Sequence, residues 1–593
     1  MLSRSISILW LSLLLGVQVF AQNSQYVWWN PQSAAFPVVE GQAWPKEVKG
    51  PYDRLPARAE KQVRDVVWNL STQSAGLMIR FRANSSEIKI RYAVGGKHAL
   101  PHMPATGVSG VDLYAISSDG DWRWCAGKYA FGDTITYDFK NLAPNDNYHK
   151  HGREYRLFLP LYNSVKWLEI GTPEGTEFTP LAVRPDKPIV VYGTSIAQGA
   201  CASRPGMAWT SILGRKMDRP LINLGFSGNG RLEKEVVDLI GEIDAKIYVL
   251  DCLPNLTIRP DSKLGLTAEE VKKRVVNTVT ALRQKRTDVP IALAEHAGYA
   301  EEDINPQSKH YYEEINGVLK DAFATLKSQG FQNLYLIPKA DFGQTYESTV
   351  DGTHQTDLGM LQYAEGYEKH LRRILHEPSG EFSTTRPIIQ MRELHNYDWE
   401  KRHSEILELN SKNSPTTVVI GNSITHFWGG LPKGPRAVGE SSWSGTFGKN
   451  SVNMGYGWDR IENVLWRIYH GELDGFKPKQ ILINIGTNNL GLNSDEEIAA
   501  GWIQLIEAIK YRQPQAQIVM MGIYPRRQQE QRVVALNEQL ARITGEADVL
   551  FINPGKVFLK ADGKIDESLF SDGLHPNEKG YSLLGNAIKP FVK

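Results

Sequence analysis

Two periodicities divide the chain. Between residues 23 and 185, short stretches alternate apolar and polar positions. They include Gly76-Leu-Met-Ile-Arg-Phe-Arg82, Glu87-Ile-Lys-Ile-Arg-Tyr-Ala93, Gly110-Val-Asp-Leu-Tyr-Ala115, Thr134-Ile-Thr-Tyr-Asp-Phe139 and Glu154-Tyr-Arg-Leu-Phe-Leu159. A period of two puts alternate side chains on one face, so each stretch predicts a half-buried strand. Turn clusters such as Ser117-Ser-Asp-Gly120 separate them without a helical pattern. That arrangement predicts an all-β sandwich or jelly roll.

From residue 188 the apolar positions run continuously instead. Pro188-Ile-Val-Val-Tyr-Gly193, Ile247-Tyr-Val-Leu250 and Pro290-Ile-Ala-Leu-Ala294 read as buried strands, with amphipathic stretches such as Thr267 to Gln284 between them. Buried strands alternating with helices predict a parallel sheet of βαβ units. Residues 376 to 415 are polar, with one amphipathic helix expected over Tyr397 to Asn410. The pattern then restarts at Thr416-Thr-Val-Val-Ile-Gly421, Gln480-Ile-Leu-Ile-Asn-Ile-Gly486 and Gln517-Ile-Val-Met-Met-Gly522. The expected division is a β-sandwich over 23–185, one α/β domain over 186–378, a linker over 379–394 and a second α/β domain over 395–593.

Residues 1–22 stand apart. Arg4 precedes the mostly apolar stretch Ile6 to Phe20, and Val19-Phe20-Ala21 has the character of a cleavage site. This predicts a secretory signal peptide cut after Ala21, and an exported, secreted or periplasmic chain. No cysteine follows the apolar stretch, so a lipid anchor is not expected there. No later segment is apolar enough to predict a membrane span.

Composition narrows the function classes. Lys plus Arg is 67 and Asp plus Glu is 66 in 593 residues, for a net charge of +1. A broad nucleic-acid surface needs a basic excess that is absent here. Hydrophobic residues at 41% exclude a disordered chain. Three cysteines, Cys125, Cys201 and Cys252, cannot form a disulfide scaffold, although a Cys201–Cys252 pairing stays open. No metal-ligand spacing and no phosphate-binding glycine loop is present, so neither metal nor cofactor is expected.

The two α/β regions share an ordered set of residues. Gly193-Thr-Ser-Ile196 ends the first opening strand and Gly421-Asn-Ser-Ile424 ends the second. A later asparagine follows a strand in each, Asn255 and Asn488. Asp351-Gly-Thr-His354 and Asp572-Gly-Leu-His575 come near the ends. Serine to asparagine is 255 − 195 = 60 and 488 − 423 = 65; serine to aspartate is 351 − 195 = 156 and 572 − 423 = 149. Such a set points to nucleophilic catalysis. A serine at the carboxyl edge of a parallel sheet faces the ligand crevice. A histidine takes its proton, an aspartate orients the histidine, and N–H donors stabilise the oxyanion.

These motifs resemble the SGNH, or GDSL-type, hydrolase superfamily in both α/β regions, and residues 23–185 resemble the β-sandwich that often precedes its secreted bacterial members. The resemblance implies two flavodoxin-like catalytic domains. The first would use Ser195, Asp351 and His354, with oxyanion donors Gly228 and Asn255. The second is similar to the branch of platelet-activating-factor acetylhydrolase-like and sugar acetylesterases. It would use Ser423, Asp572 and His575, with Asn488 and either Gly457 or Trp458 as donors. The first copy departs from the family in having Leu-Pro-Asn255-Leu in place of Gly-x-Asn-Asp, and Thr194 and Asn422 replace the aspartate of Gly-Asp-Ser. Trp428, Trp443 and Trp458 lie near catalytic segments of the second copy and are candidates for stacking on sugar rings or, equally, for filling the core. His296 is either a lining residue of the first pocket or a satisfied structural histidine, Arg204 is expected as a solvated surface arginine rather than a substrate anchor, and Arg526 or Arg527 either frames the second site or forms a surface salt bridge.

The resulting expectation is a carbohydrate esterase removing acetyl groups from plant polysaccharides or oligosaccharides of xylan or pectin type. Its alternatives are a lipid or aryl esterase, or a single-site esterase whose first α/β domain only binds. Oligomeric state is not legible.

Overall fold

The structure, a computed structural model, describes residues 25–144, 152–258, 265–392 and 395–593. The expected signal peptide lies outside the described residues. Among them, no helix is long and apolar enough to cross a membrane.

The N-terminal region is two antiparallel sheets. One has the strand order Tyr26–Trp29, Val165–Pro173, Glu87–Val94, Ile135–Lys140, Gly127–Ala130. The other runs Phe178–Pro180, Met78–Ala83, Arg153–Phe158, Asp112–Ile116, Trp122–Cys125. Their facing side chains, Ile79, Phe81, Ile88, Ile90, Leu113, Ile135, Leu157 and Leu168 among them, form one core. Glu87–Val94 keeps the predicted alternation, burying Ile88, Ile90 and Tyr92. Met78–Ala83 and Arg153–Phe158 do not, because Arg80, Glu154 and Arg156 on their outer face are also buried.

Two parallel five-stranded sheets follow. Their orders are Leu221–Gly225, Ile189–Gly193, Ile247–Asp251, Ile291–Ala294, Leu334–Ile337, and Ser451–Gly455, Thr417–Gly421, Gln480–Asn484, Gln517–Met521, Leu550–Ile552. In both, the chain's first strand sits between its second and third, which places the topological switch point, where open α/β sheets bind ligands, at that strand's carboxyl end. The expected helix at Thr267 is Ala268–Lys285, capped by the Thr267 side chain and burying Val271, Val275, Val279 and Leu282. The helix expected over Tyr397 to Asn410 spans Trp399–Asn413, with Asp398 as its cap. Cys125, Cys201 and Cys252 are free and buried.

Buried charge joins the three sheet systems. Asp218 closes the helix Trp209–Met217 in a left-handed conformation at φ 43°. Its Oδ1 accepts from Arg156 of the sandwich at 3.0 Å and from Arg184 at 2.9 Å, and its Oδ2 accepts from Trp466 of the second α/β region at 3.1 Å. Arg156 continues to Glu154 at 2.7 Å, Glu154 to Arg80 at 3.0 Å, and Arg80 to Glu400 at 2.6 Å. Burial alone raises the Glu154 pKa, but the Arg80 and Arg156 guanidiniums hold it far below the usual carboxylate range. Removing one member of a buried pair leaves its partner desolvated and costs about 3–5 kcal/mol. Asp218→Asn keeps an acceptor and tolerates the left-handed backbone, so it isolates the charge. We expect Asp218→Asn to lower the urea midpoint of unfolding clearly and Asp218→Ala to lower it further. Unchanged midpoints in both would show that the junction contributes nothing to stability.

Candidate active sites

In each α/β region a serine follows the first strand and opens a short helix. Ser195 begins Ser195–Gln198 and Ser423 begins Ser423–His426. The residue before each serine caps that helix. The Thr194 hydroxyl accepts from the Ile196 N–H, and the Asn422 side-chain Oδ1 accepts from the Ile424 N–H. This gives a structural use to the two positions where the expected Gly-Asp-Ser aspartate is replaced.

The serines, histidines and aspartates come together in both regions. Ser195 Oγ lies 2.9 Å from His354 Nε2, and His354 Nδ1 lies 2.8 Å from Asp351 Oδ2. Ser423 Oγ lies 2.8 Å from His575 Nε2, and His575 Nδ1 lies 2.7 Å from Asp572 Oδ2. Each aspartate also folds its own loop. Asp351 Oδ1 accepts the backbone N–H of His354 and Thr353, and Asp572 Oδ1 accepts those of His575 and Leu574. Partial burial pushes the Asp351 and Asp572 pKa values up, but the backbone and ring N–H groups of the neighbouring histidine outweigh it and both are lowered. The charged carboxylates fix the ring orientation that leaves Nε2 facing the serine.

The loops after the second strands also match. The Asn223 amide donates to the Ala197 carbonyl at 2.7 Å and its oxygen accepts from the Gly225 N–H at 2.8 Å. Asn453 repeats both contacts, with Thr425 at 2.7 Å and Gly455 at 2.8 Å. A Cβ on Gly225 would stand 2.3 Å from the Gln198 nitrogen, and one on Gly455 would stand 2.3 Å from the His426 nitrogen, so only glycine lets the loop approach the nucleophile helix. Five residues after each asparagine the backbone is left-handed, at Gly228 with φ 68° and at Trp458 with φ 63°. The preceding N–H is already used in both copies: Ser227 donates to Gln198 Oε1 at 3.0 Å, and Gly457 donates to His426 Nδ1 at 3.1 Å. This corrects the expectation for Gly457, whose N–H is spent on His426; Trp458 holds the position equivalent to Gly228. His426 can accept because burial depresses its pKa well below the usual histidine value and keeps the ring neutral. Asn255 Oδ1 accepts from the Gly230 N–H at 3.1 Å, and Asn488 Nδ2 donates to the Asp459 carbonyl at 3.0 Å.

The GDSL-like lipase/acylhydrolase family model matches residues 186–372 and a second such model matches 419–583. The model for the N-terminus of SGNH hydro-type esterases matches 26–178. A solved chain from Bacteroides ovatus, described as a GDSL-like lipase, is 32% identical with TM-score 0.54, covering 59% of this chain and 98% of that one. The chain belongs to the GDSL/SGNH hydrolase family. It is an ester hydrolase. Human platelet-activating factor acetylhydrolase IB subunit alpha1 is 28% identical over 200 residues, 33% of this chain and 82% of its own. The Bos taurus alpha2 subunit is 32% identical over 148 residues, 24% of this chain and 64% of its own.

Several expectations for this SGNH hydrolase need correction. Trp428 and Trp443 are 1% and 2% exposed. They pack edge to face with centroids 5.9 Å apart, against Phe447 and Tyr581, and donate their indole N–H groups to Ser442 and Ser451. They fill the core and offer no face to a sugar. Trp458, at 41% exposure, is the tryptophan at the second site's surface. Arg204 is only partly solvated, its side chain 26% exposed, and it pairs with Asp112 and Tyr114 of the sandwich. His296 is buried, with its pKa depressed to about 4 chiefly by that burial, and accepts from the Gly298 N–H. Arg526 donates to the Thr487 carbonyl beside Asn488, whereas Arg527 pairs with Glu567.

Sequence reasoning missed the connector. Residues 379–394, expected to be a polar linker, include buried Ile389, Gln390, Met391 and Arg392. Gln390 and Tyr397 donate to the Gly457 carbonyl at 2.9 and 2.8 Å, and Arg392 donates to the Trp458 carbonyl at 3.2 Å. Trp399 and Gln390 donate to Asp459 Oδ1 at 2.8 and 3.2 Å, and Arg392 reaches back to Asp119 of the sandwich at 2.5 Å. Three successive residues of the Trp458 loop are thus held from outside the second α/β sheet. A displacement of about 1 Å can cost on the order of 100-fold in rate. In a Ser195→Ala background, Gln390→Ala should lower kcat for Ser423-dependent ester hydrolysis by roughly 10–100-fold, with KM little changed. An unaltered kcat would show that the connector does not position this loop.

Proposed function

We propose that this chain is an exported carbohydrate esterase that removes acetyl groups from plant polysaccharides of xylan or pectin type at two active sites. The observation that carries the reading is the pair of hydrogen-bonded Ser–His–Asp chains, one at each sheet edge. In each, the serine Oγ attacks the ester carbonyl while the histidine Nε2 takes its proton, and the aspartate stabilises the imidazolium. The oxyanion is met by the N–H of the serine, the N–H of Gly228 or Trp458, and the amide of Asn255 or Asn488. The histidine returns the proton to the leaving sugar hydroxyl, and water then releases the acid from the acyl-enzyme.

Three features support the substrate class. The names of the platelet-activating factor relatives specify an acetyl group. A polar cleft of about 160 Å³, lined by Tyr299, Glu302, Asp303, Lys339, Tyr346 and Gln355, borders the segment that carries Asp351 and His354 without including either residue. Such groups suit hydroxyl-rich rings. The near-zero net charge fits an uncharged xylan-type backbone better than the anionic galacturonate backbone of pectin, and residues 1–22 fit export.

Acetate release from acetylated xylan and pectin oligosaccharides by wild type, Ser195→Ala, Ser423→Ala and the double variant tests the reading. Each single variant should lose on the order of 1,000-fold or more of the deacetylation at its own positions, and the double variant should lose all of it. Full activity in the double variant would overturn the mechanism. No loss in Ser195→Ala would leave the first site a binding unit. Preference for long-chain acyl or aryl esters over acetylated sugar would favour a lipid or aryl esterase.

A further inference from the structure

Spacing along the chain gathers no metal ligands, yet the fold brings three donors to one spot beside Ser195. His102 sits on the sandwich loop between Glu87–Val94 and Asp112–Ile116, with its ring centroid 5.7 Å from that of His354. Cys201 follows the nucleophile helix in a left-handed turn at φ 70°. One ligand atom each from His102, Cys201 and His354 lies within 4.8 Å of the others. The three come from separate elements.

Two imidazole nitrogens and one sulfur are the donors of borderline and soft divalent cations such as Zn²⁺ and Cd²⁺, whereas Mg²⁺ and Ca²⁺ require oxygen. His354 is already arranged as a metal-bound histidine is. Its Nδ1 faces the Asp351 carboxylate at 2.8 Å, the outer partner that fixes tautomer and ring orientation in carboxylate–histidine–zinc sites. Its Nε2 then carries the free lone pair. That is the same pair that faces Ser195 Oγ at 2.9 Å. A cation and the serine proton therefore compete for one lone pair. The His102 ring is exposed, while Cys201 is buried at 7% exposure.

The second triad provides an internal comparison. Phe427, not a histidine, packs against His575 there, with centroids 5.4 Å apart. Gly429 stands six residues after Ser423, where Cys201 stands six after Ser195. Among the described residues, the same Ser–His–Asp geometry there gathers no such pair of additional donors.

We propose that the first site binds one zinc-class divalent cation through His102, Cys201 and His354, and that this occupancy blocks acyl transfer at Ser195 while leaving Ser423 working. The thiol proton leaves to solvent as the Cys201 sulfur binds. The binding half rests on the donors alone; the inhibition half rests on the reading of Ser195 as a nucleophile.

The test titrates Cd²⁺ into the full chain and follows the thiolate-to-cadmium charge-transfer absorption, with Zn²⁺ stoichiometry from equilibrium dialysis. Wild type should give a band saturating at one cation per chain. Cys201→Ser should abolish it, which separates this thiol from Cys125 and Cys252, and His102→Ala should weaken binding by at least about tenfold. Zn²⁺ should suppress hydrolysis by the Ser423→Ala chain, reversibly on adding a chelator, and should not affect the Ser195→Ala chain. Identical titrations for wild type and Cys201→Ser, or no band, would overturn the site. Hydrolysis by Ser423→Ala persisting at saturation would overturn the inhibition. If the band and stoichiometry hold while Ser423→Ala is inactive without metal, the cation site stands and the two-site reading falls.

Discussion

The carboxylate of Asp218 is the contact on which the arrangement of the whole chain depends. It receives Arg156 from the sandwich, Arg184 from the segment leading into the first parallel sheet, and Trp466 from the second α/β region. Charges taken out of water are tolerated only when their partners are in place, so this junction specifies one mutual placement of the three units. Further buried pairs reinforce it. Asp186 meets His470 at 2.6 Å, and Arg219 reaches both Glu377 and the Tyr469 carbonyl. The sandwich is thereby held where it contributes to both candidate sites. Tyr162 donates to the Ser195 carbonyl at 3.1 Å and His102 faces His354, while Asp119 anchors the arginine that grips the Trp458 loop.

Within this frame the two α/β units repeat one another where the chemistry is strict and differ where a substrate or ion approaches. The serine, histidine and aspartate distances agree to about 0.1 Å between copies. The asparagine that braces the second loop makes the same two contacts in each. Around that constant part, Gln198 is replaced by His426, Ser227 by Gly457, Gly228 by Trp458, and the soft donors near His354 by Phe427 and Gly429. A duplicated scaffold with divergent rims is the arrangement expected if one chain treats two different ester positions.

Much of this was legible in the sequence because it depends on local rules. Period-two alternation marked Glu87–Val94 correctly, and apolar runs ending in glycine marked the central strands Ile189–Gly193 and Thr417–Gly421. The Asp-Gly-x-His turns were readable because their main hydrogen bonds span three residues. What was not legible depends on partners far away. The outer faces of Met78–Ala83 and Arg153–Phe158 are buried by ion pairs with distant segments, so their polar residues gave a misleading exposure signal. Trp428 and Trp443 lie near Ser423 in sequence but point into the core, a direction that spacing does not encode. The connector's Gln390 and Arg392 carry no motif. The N–H of Gly457 could be ruled out as a donor only once His426 was seen beside it. The Asn-x-Gly-aromatic string shared by both copies was the one available signal for the bracing asparagines.

The central claim is that one chain carries two independently reactive serines. Labelling of the intact protein with a serine-directed phosphonate, followed by mass spectrometry of the whole chain and of its peptides, tests it directly. The account predicts two equivalents per chain, on Ser195 and Ser423, falling to one in either Ser→Ala variant and to none in the double variant. A single equivalent in the wild type, or label that survives in the double variant, would contradict it.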